Sequence, residues 1–197
     1  QDEDEEYHQH HGLATEDSLV SSRIFSESSY ISSSASSRHY GENELDEELA
    51  DKVLLIQGEL ANRELLEGII AEQDIEAVFH FAAQVEVGVA IKDPYLTFES
   101  NIRGTYCLME AIRNSGNNMR SIVVASSDKS YGSYPKERMP YKEDYPLIPI
   151  YPYDVSKACG DMIAQTYASD IFRLPIVVTR FCNIYGPGQL NFSAIIP

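Results

Sequence analysis

The order of apolar and polar positions divides the chain near residue 41. Residues 1–41 hold an acidic run, several histidines and a serine-rich tract with little hydrophobic periodicity, so they lack the apolar surface that offsets the entropy of ordering. We expect this arm to be disordered or poorly packed. Residues 42–197 alternate apolar strands with amphipathic helices, which is typical of an α/β domain whose parallel sheet is covered on both faces.

Within the second region, apolar runs predict strands and segments with helical periodicity predict helices. The strands are expected at 53–56, 77–83, 121–125 and 176–181, and the helices at 42–50, 61–73, 94–114 and 152–168. Ligands of such sheets bind beyond the carboxyl ends of the strands. We therefore expect one edge of the sheet to gather the residues that follow the strands, at 58–59, 82–84, 126–129 and 182–183.

Composition excludes several classes of function. A net charge of −16 argues against nucleic-acid and anionic-membrane partners, because phosphate contacts need clustered Lys and Arg. No run of 18 apolar residues is present to span a membrane. The 3 cysteines are scattered, which fits neither a disulfide framework nor a metal site. We expect a cytoplasmic protein without a bound metal, although a chain that begins at Gln1 leaves open that a targeting segment has been removed.

One pair of residues carries a specific chemistry. In a helix over 152–168, Tyr153 and Lys157 lie one turn apart on the same face. A nearby cation favours the phenolate of a tyrosine, whose pKa is otherwise about 10. Tyr153 could then accept a proton from an alcohol while a cofactor takes the hydride. The spacing alone is weak evidence, since it occurs by chance in many helices.

Further motifs surround this pair in a fixed order. They are Phe79-His80-Phe81-Ala82-Ala83, Asn101-x-x-Gly104-Thr105, Ser126-Ser127-Asp128-Lys129-Ser130-Tyr131-Gly132, Tyr153-x-x-x-Lys157 and Arg180-x-x-Asn183-x-Tyr185-Gly186-Pro187. From about residue 50 to Pro197 the chain resembles the extended short-chain dehydrogenase/reductases. That resemblance implies a Rossmann-like doubly wound sheet, NAD as the cofactor and a nucleotide-diphosphate sugar as the substrate.

The residues after the serine indicate a branch of the family. Ser127-Asp128-Lys129 is most similar to nucleotide-sugar 4,6-dehydratases, CDP-glucose 4,6-dehydratase in particular, whereas epimerases usually have small or apolar residues there. The resemblance implies an NAD-dependent lyase that oxidises C4 of the sugar, eliminates water across C5 and C6, and returns the hydride to C6.

The resemblance also implies catalytic roles. Tyr153 is the base for C4 oxidation, Lys157 lowers its pKa and holds the nicotinamide ribose, and Ser127 hydrogen-bonds the C4 oxygen. Asp128 is the acid for the C6 hydroxyl, and Lys129 stands in the place of the base for the C5 proton. An ammonium is no base at pH 7 without burial or cationic neighbours. Two alternatives stay open, electrostatic stabilisation of an enolate and a strand-end ion pair with Asp128.

Binding residues are implied in the same way. For NAD they are Glu59, Leu60, Ala82, Ala83, Asn101, Ser126, Tyr153 and Lys157, and for the sugar nucleotide Gln84, Ser127 and Asn183. Simpler interpretations exist, because small alanines also accommodate a packed helix and an asparagine also caps a strand. Glu59 stands where relatives usually have Asp, and the choice between NAD and NADP stays open.

The chain departs from the family in one important respect. The family begins with Gly-x-x-Gly-x-x-Gly, which holds the cofactor pyrophosphate, but only Gly12 and Gly41 precede Gly58. We expect the first βαβ unit to be missing or replaced by the arm, and the C-terminal substrate region to be absent. The chain is then a piece of an active dehydratase, a catalytically dead binding or structural subunit, or, third, an epimerase.

By resemblance it forms a homodimer through 94–114 and 152–168, or a partner covers the exposed edge of the sheet.

Overall fold

The computed structural model describes residues 21–25, 53–116 and 118–186, which fall into two compact units. β1 (Ser21–Phe25) and β2 (Val53–Gln57) form a two-stranded sheet, and most of their residues belong to the first unit. β1 lies within the arm that we expected to be disordered or poorly packed. The rest of that arm and the helix expected at 42–50 lie outside the described residues, so those expectations stay predictions.

The second unit contains a parallel sheet with the strand order β3-β4-β5. Its strands are β3 (Ala77–His80), β4 (Ser121–Ser127) and β5 (Ile176–Phe181). β4 pairs in parallel with both neighbours. This arrangement confirms the α/β fold class. β3 ends earlier than we expected, and β4 continues to Ser127, which places that serine at the end of the central strand.

Helices connect these strands. They are α1 (Arg63–Glu72), α2 (Val87–Lys92), α3 (Pro94–Phe98), a π-helical turn (Glu99–Arg103), α4 (Gly104–Ser115) and α5 (Pro152–Ala168), with 3₁₀ turns at Asp128–Tyr131 and Lys136–Arg138. The expected helices over 61–73 and 152–168 are confirmed. The helix expected over 94–114 is present, but the π-helical turn interrupts it. No described helix is long and apolar enough to cross a membrane.

The core of the second unit lies between helices and the central strand. Leu66 of α1, Ile112 of α4 and Ile122 of β4 are almost fully buried and belong to one apolar cluster. Alternate residues of β4 face this cluster, since Ile122 and Val124 are buried while Val123 between them is partly exposed. The cluster fixes β4 relative to the helices, and so fixes the position of the residues that follow β4.

β2 pairs with β1 and not with a strand of the three-stranded sheet. Non-consecutive pairing is normal in a doubly wound sheet, since in the order 3-2-1-4-5-6 two strands separate the third from the fourth. Our expectation that residues 58–59 share the edge of the three-stranded sheet stays a prediction.

Candidate active site

The chain turns sharply where β4 ends. The Lys129 backbone N–H donates to Ser127 Oγ at 3.2 Å, so Ser127 caps the 3₁₀ turn that follows. Ser127 Oγ in turn donates to Asp128 Oδ1 at 3.2 Å. The buried hydroxyls of Ser126 and Ser130 lie 3.0 Å apart beneath the turn. The turn therefore holds the Ser127 hydroxyl and the Asp128 carboxylate together at the carboxyl end of the central strand.

Tyr153 meets this turn from α5. Proline at the first helical position starts the helix at Pro152, and Tyr153 follows with its hydroxyl in hydrogen-bonding reach of Ser127. Burial raises the pKa of Tyr153, and the carboxylates of Asp154 and Asp128 add to the rise, while the Ser127 hydrogen bond opposes it. We expected Lys157 to lower this pKa, but the environment of the chain by itself has the opposite effect.

Lys157 is held by a hydrogen bond to β4. Its Nζ donates to the Ala125 carbonyl oxygen at 2.5 Å, so the ammonium is held against β4. Burial lowers the pKa of Lys157 to about 8, and the Asp161 carboxylate opposes that fall. The ammonium is thus close to the sheet edge, but a carbonyl of β4 takes its hydrogen bond.

Asn101 links the loop after β3 to α5. Its side chain accepts from the Gln84 N–H at 2.6 Å and donates to the Gln84 carbonyl at 2.9 Å. It also donates to Ser156 Oγ at 2.8 Å, and Ser156 donates to the Tyr153 carbonyl at 2.7 Å. Asn101 lies in the π-helical turn, a feature that is frequent at functional sites. The network fixes the backbone of Gln84 and the first turn of α5.

A second buried chain of hydrogen bonds supports the π-helical turn. Thr105 Oγ1 donates to the Asn101 carbonyl at 2.6 Å and lies 3.0 Å from His80 Nε2. Because the threonine proton is committed to the carbonyl, His80 must donate from Nε2, which defines its neutral tautomer. Burial, followed by the charge of Lys157, lowers the pKa of His80 to about 4. His80 therefore remains neutral near pH 7.

This buried histidine should make the stability of the domain depend on pH. Its folded pKa of about 4 lies below the ordinary histidine pKa of 6.5, so only the unfolded chain binds a proton between these values. Stability should fall as pH drops from 6.5, by about 2 kcal/mol at pH 4.5. The hydrogen bond from Arg113 lowers the pKa of Glu110 to about 2. The stability that this carboxylate contributes is therefore lost only as the pH falls below about 4.5.

Urea unfolding followed by circular dichroism tests this. His80→Gln keeps an N–H donor near the Nε2 position but cannot take up a proton, so its stability should change less between pH 6.5 and 4.5. The other histidines are common to both proteins and cancel in the comparison. Equal losses of stability in the two proteins would contradict the assignment to His80.

The structure brings some of the predicted binding residues together and leaves others apart. Ala82 and Ala83 line a cavity of about 10 Å³ with Asn101 and Lys157, which is room for about one water molecule. Leu60 instead belongs to the apolar core. Glu59 is exposed after β2, and Asn183 is exposed after β5.

Three residues beside the site were not singled out from the sequence. They are Asp154, Ser156 and Asp161, and all three are buried on α5. Asp154 is 8% exposed, and burial raises its pKa, with Lys129 opposing the rise and Asp128 adding to it. Each lies within one turn of Tyr153 or Lys157, so the helical repeat could have identified them. The described residues contain no group of His, Cys, Asp and Glu that could hold a metal ion.

Comparison with known proteins finds a matching family model and similar sequences. Residues 19–194 match the family model described as GDP-mannose 4,6 dehydratase. A dTDP-glucose 4,6-dehydratase of Streptomyces antibioticus is 36% identical over 145 residues, which cover 74% of this chain and 41% of that protein.

Two solved structures are similar. One is a double mutant of a dTDP-glucose 4,6-dehydratase from Streptomyces venezuelae with NAD bound (TM-score 0.64, 29% identity, 74% of this chain and 42% of that one). The other is the UDP-glucose 4-epimerase of Thermotoga maritima with UDP-glucose (TM-score 0.66, 26% identity, 83% of this chain and 48% of that one). The chain thus spans less than half the length of these three proteins.

Proposed function

The chain belongs to the GDP-mannose 4,6 dehydratase family of extended short-chain dehydrogenase/reductases, and from that premise we propose that it carries the catalytic centre of an NAD-dependent nucleotide-sugar 4,6-dehydratase. The overall fold does not separate this function from epimerisation, since dehydratases and epimerases are similar to the chain to the same degree. The proposal therefore depends on the site.

The observation that carries the proposal is the grouping of Ser127, Asp128 and Tyr153. An epimerase needs a base and a hydrogen bond at C4, which Tyr153 and Ser127 supply. A dehydratase also needs an acid for the departing C6 hydroxyl. The Asp128 carboxyl is hydrogen-bonded to Ser127, so an acid lies directly beside the hydroxyl that would orient C4. Water elimination uses this carboxyl, and simple epimerisation does not.

The surroundings of Lys129 support one of its possible roles. Lys129 is exposed on the 3₁₀ turn, and it is electrostatically coupled to Asp154, which is coupled to Asp128 as well. Exposure and anionic neighbours are the opposite of what a lysine base requires. We favour the electrostatic role, in which the ammonium stabilises the enolate that forms when the C5 proton leaves.

The described residues fit the nicotinamide half of NAD. Ala82 and Ala83 follow β3 with small side chains and line the small cavity with Asn101 and Lys157, so a flat ring could approach the backbone there. Ser126 is hydrogen-bonded to Asp161, which lines the same cavity. When bound, NAD supplies the acceptor for the C4 hydride and returns that hydride to C6. Lys157 would hold the ribose hydroxyls with its ammonium, and Tyr153 would take the proton of the C4 hydroxyl.

The nucleotide is proposed from the similar proteins. We expected CDP-glucose, but the similar dehydratases are named for dTDP-glucose and the similar epimerase for UDP-glucose. We therefore propose a nucleoside-diphosphate glucose, with Gln84 and Asn183 on the substrate side of the site.

Calorimetry of the 197-residue chain with NAD is the first test. We expect micromolar binding, which would be followed by incubation with dTDP-, UDP- and CDP-glucose and analysis of the products. A dehydratase releases a 4-keto-6-deoxy sugar, and an epimerase releases an intact hexose. An epimerised hexose as the only product would contradict the proposal.

The second candidate function is that of a binding subunit. Phe79 of β3 and Phe81, just after it, are 63% and 61% exposed. Among the described strands β3 lies at the edge of its sheet, and an exposed apolar strand edge favours association. A folded chain that binds neither NAD nor a sugar nucleotide would favour this function over the enzymatic one.

A further inference from the structure

Two charged residues on α5 are spaced for an ion pair that the structure does not make. Lys157 and Asp161 lie one turn apart, where a lysine and an aspartate normally attract each other across the helix surface. Lys157 Nζ instead donates to the Ala125 carbonyl at 2.5 Å. Asp161 is instead bonded to Arg180 of β5. Both residues line the same small cavity, so burial does not keep them apart.

Arg180 binds both oxygens of the Asp161 carboxylate. Arg180 Nε donates to Oδ2 at 2.7 Å, and Nη2 donates to Oδ1 at 3.1 Å, which is the bidentate geometry that arginine forms with carboxylates. Gln165 donates to Oδ1 at 2.5 Å, and Ser126 adds a further hydrogen bond. The Asp161 side chain is fully buried, and that of Arg180 is 16% exposed.

The same guanidinium is itself anchored. Arg180 Nη1 donates to the Tyr131 hydroxyl at 2.9 Å and to the Glu143 carbonyl at 3.0 Å. Its fork is therefore fixed from the 3₁₀ turn after β4 and from the loop that precedes α5. These bonds keep Arg180 from moving toward Lys157. If Asp161 left Arg180, the largely buried guanidinium would have no carboxylate to pair with, which is costly.

We propose that Arg180 is a positioning residue that holds the Asp161 carboxylate away from Lys157, so that the lysine ammonium stays at the Ala125 carbonyl and remains available to the site. Without Arg180, the carboxylate would keep its hydrogen bonds from Gln165 and Ser126 but would be buried without a countercharge, one turn from the ammonium. Formation of the Lys157–Asp161 pair would satisfy both charges. The ammonium would then be drawn along α5, away from its position against β4.

The charged groups around Lys157 define what a titration would report. Asp161 acts on Lys157 from its own helix, and His80 from β3 is coupled to it. Arg180 acts from β5 through Asp161. Tyr153 lies one turn earlier on α5. Because the pKa of His80 is lowered to about 4, His80 carries no charge while Lys157 titrates.

The test measures the pKa of Lys157 itself and requires neither bound cofactor nor enzymatic turnover. The inference rests on the proposed role of Lys157, but the chain alone, labelled at the lysine ε-carbons, gives the Lys157 pKa by NMR titration. The resonance is assigned by its loss in Lys157→Gln. We expect a value near 8 in the wild type and a rise of about 1 unit or more in Arg180→Gln. The pKa of Lys157 can be measured whether or not the chain has dehydratase activity, so failure of the proposed function would not change this result.

The double variant Asp161→Asn/Arg180→Gln separates positioning from a purely structural clamp. Removal of the carboxylate as well should return the Lys157 pKa to the wild-type value or below, although the anchor to Tyr131 and Glu143 is still lost. A clamp without an electrostatic role predicts that the double variant resembles Arg180→Gln. An unchanged Lys157 pKa in Arg180→Gln would overturn the proposal.

If Arg180→Gln does not fold, the same titration is made on Arg180→Lys. A lysine keeps the charge but cannot bond both carboxylate oxygens, so one oxygen becomes free to turn toward Lys157. We expect a smaller rise of the Lys157 pKa in this variant. No rise in a folded Arg180→Lys would likewise overturn the proposal.

Discussion

Replacement of Tyr153 by Phe should reduce turnover of the sugar nucleotide by about 10²- to 10⁴-fold, the usual contribution of a general acid or base. The variant loses the hydroxyl that lies within reach of Ser127 but keeps the ring that packs at the start of α5. Folding should be unaffected, because the hydrogen bond from Ser156 goes to the Tyr153 carbonyl and not to its hydroxyl.

Tyr151→Phe is the matched control. Tyr151 precedes α5 by one residue and is 58% exposed, so removal of its hydroxyl should leave turnover unchanged. Steady-state rates and thermal unfolding of both variants are the measurements. A Tyr153→Phe protein that is folded and retains wild-type turnover would exclude Tyr153 as the base.

Asp128→Asn should stop the loss of water while C4 oxidation continues. The asparagine keeps an oxygen that can accept from Ser127, as Asp128 Oδ1 does at 3.2 Å. It cannot deliver a proton to the C6 hydroxyl, so elimination should slow by about 10²-fold or more. Reduced cofactor should then accumulate on the protein, since the hydride has no C6 acceptor to return to.

Absorbance at the reduced-nicotinamide band and mass analysis of the sugar measure the two steps separately. Asp170→Asn serves as the control, because Asp170 is exposed beyond the end of α5. Normal release of the 4-keto-6-deoxy sugar by Asp128→Asn would exclude Asp128 as the acid, even if Tyr153 proves to be the base.

The residues at the centre of the site could be predicted because their geometry is local. A helix over 152–168 places Tyr153 and Lys157 on one face, and the structure contains that helix with those bounds. Ser127 follows a continuous apolar run, and it lies at the end of β4 as such a run indicates. Short-range periodicity is sufficient for both, because one helix or one strand fixes the spacing.

The partners of these residues could not be predicted, because they come from distant parts of the chain. Arg180 meets Asp161 only after β5 has paired with β4. His80 meets Thr105 across 25 residues, and Asn101 meets Ser156 across 55. No periodic pattern joins such positions, so the sequence indicated the motifs but not the contacts between them.

The direction of the Tyr153 pKa shows the same limit. The spacing of Tyr153 and Lys157 led us to expect a lowered value, but burial raises it and Lys157 is bonded to Ala125. Burial and the choice of a hydrogen-bond partner depend on every element that packs around the side chain. A pair at i and i+4 shows only that two groups can meet.

The amino-acid sequence by itself determined the α/β class, the strands β3 to β5, the helix α5 and the family to which the chain belongs, because each of these depends on local pattern or on motif order. Tertiary structure decided that β2 pairs with β1, that the π-helical turn directs Asn101 to Gln84 and Ser156, and that Arg180 takes Asp161 from Lys157. The physical reason is the same in each case, since strand order, burial and long-range charge pairing are properties of the packed domain and not of any one segment.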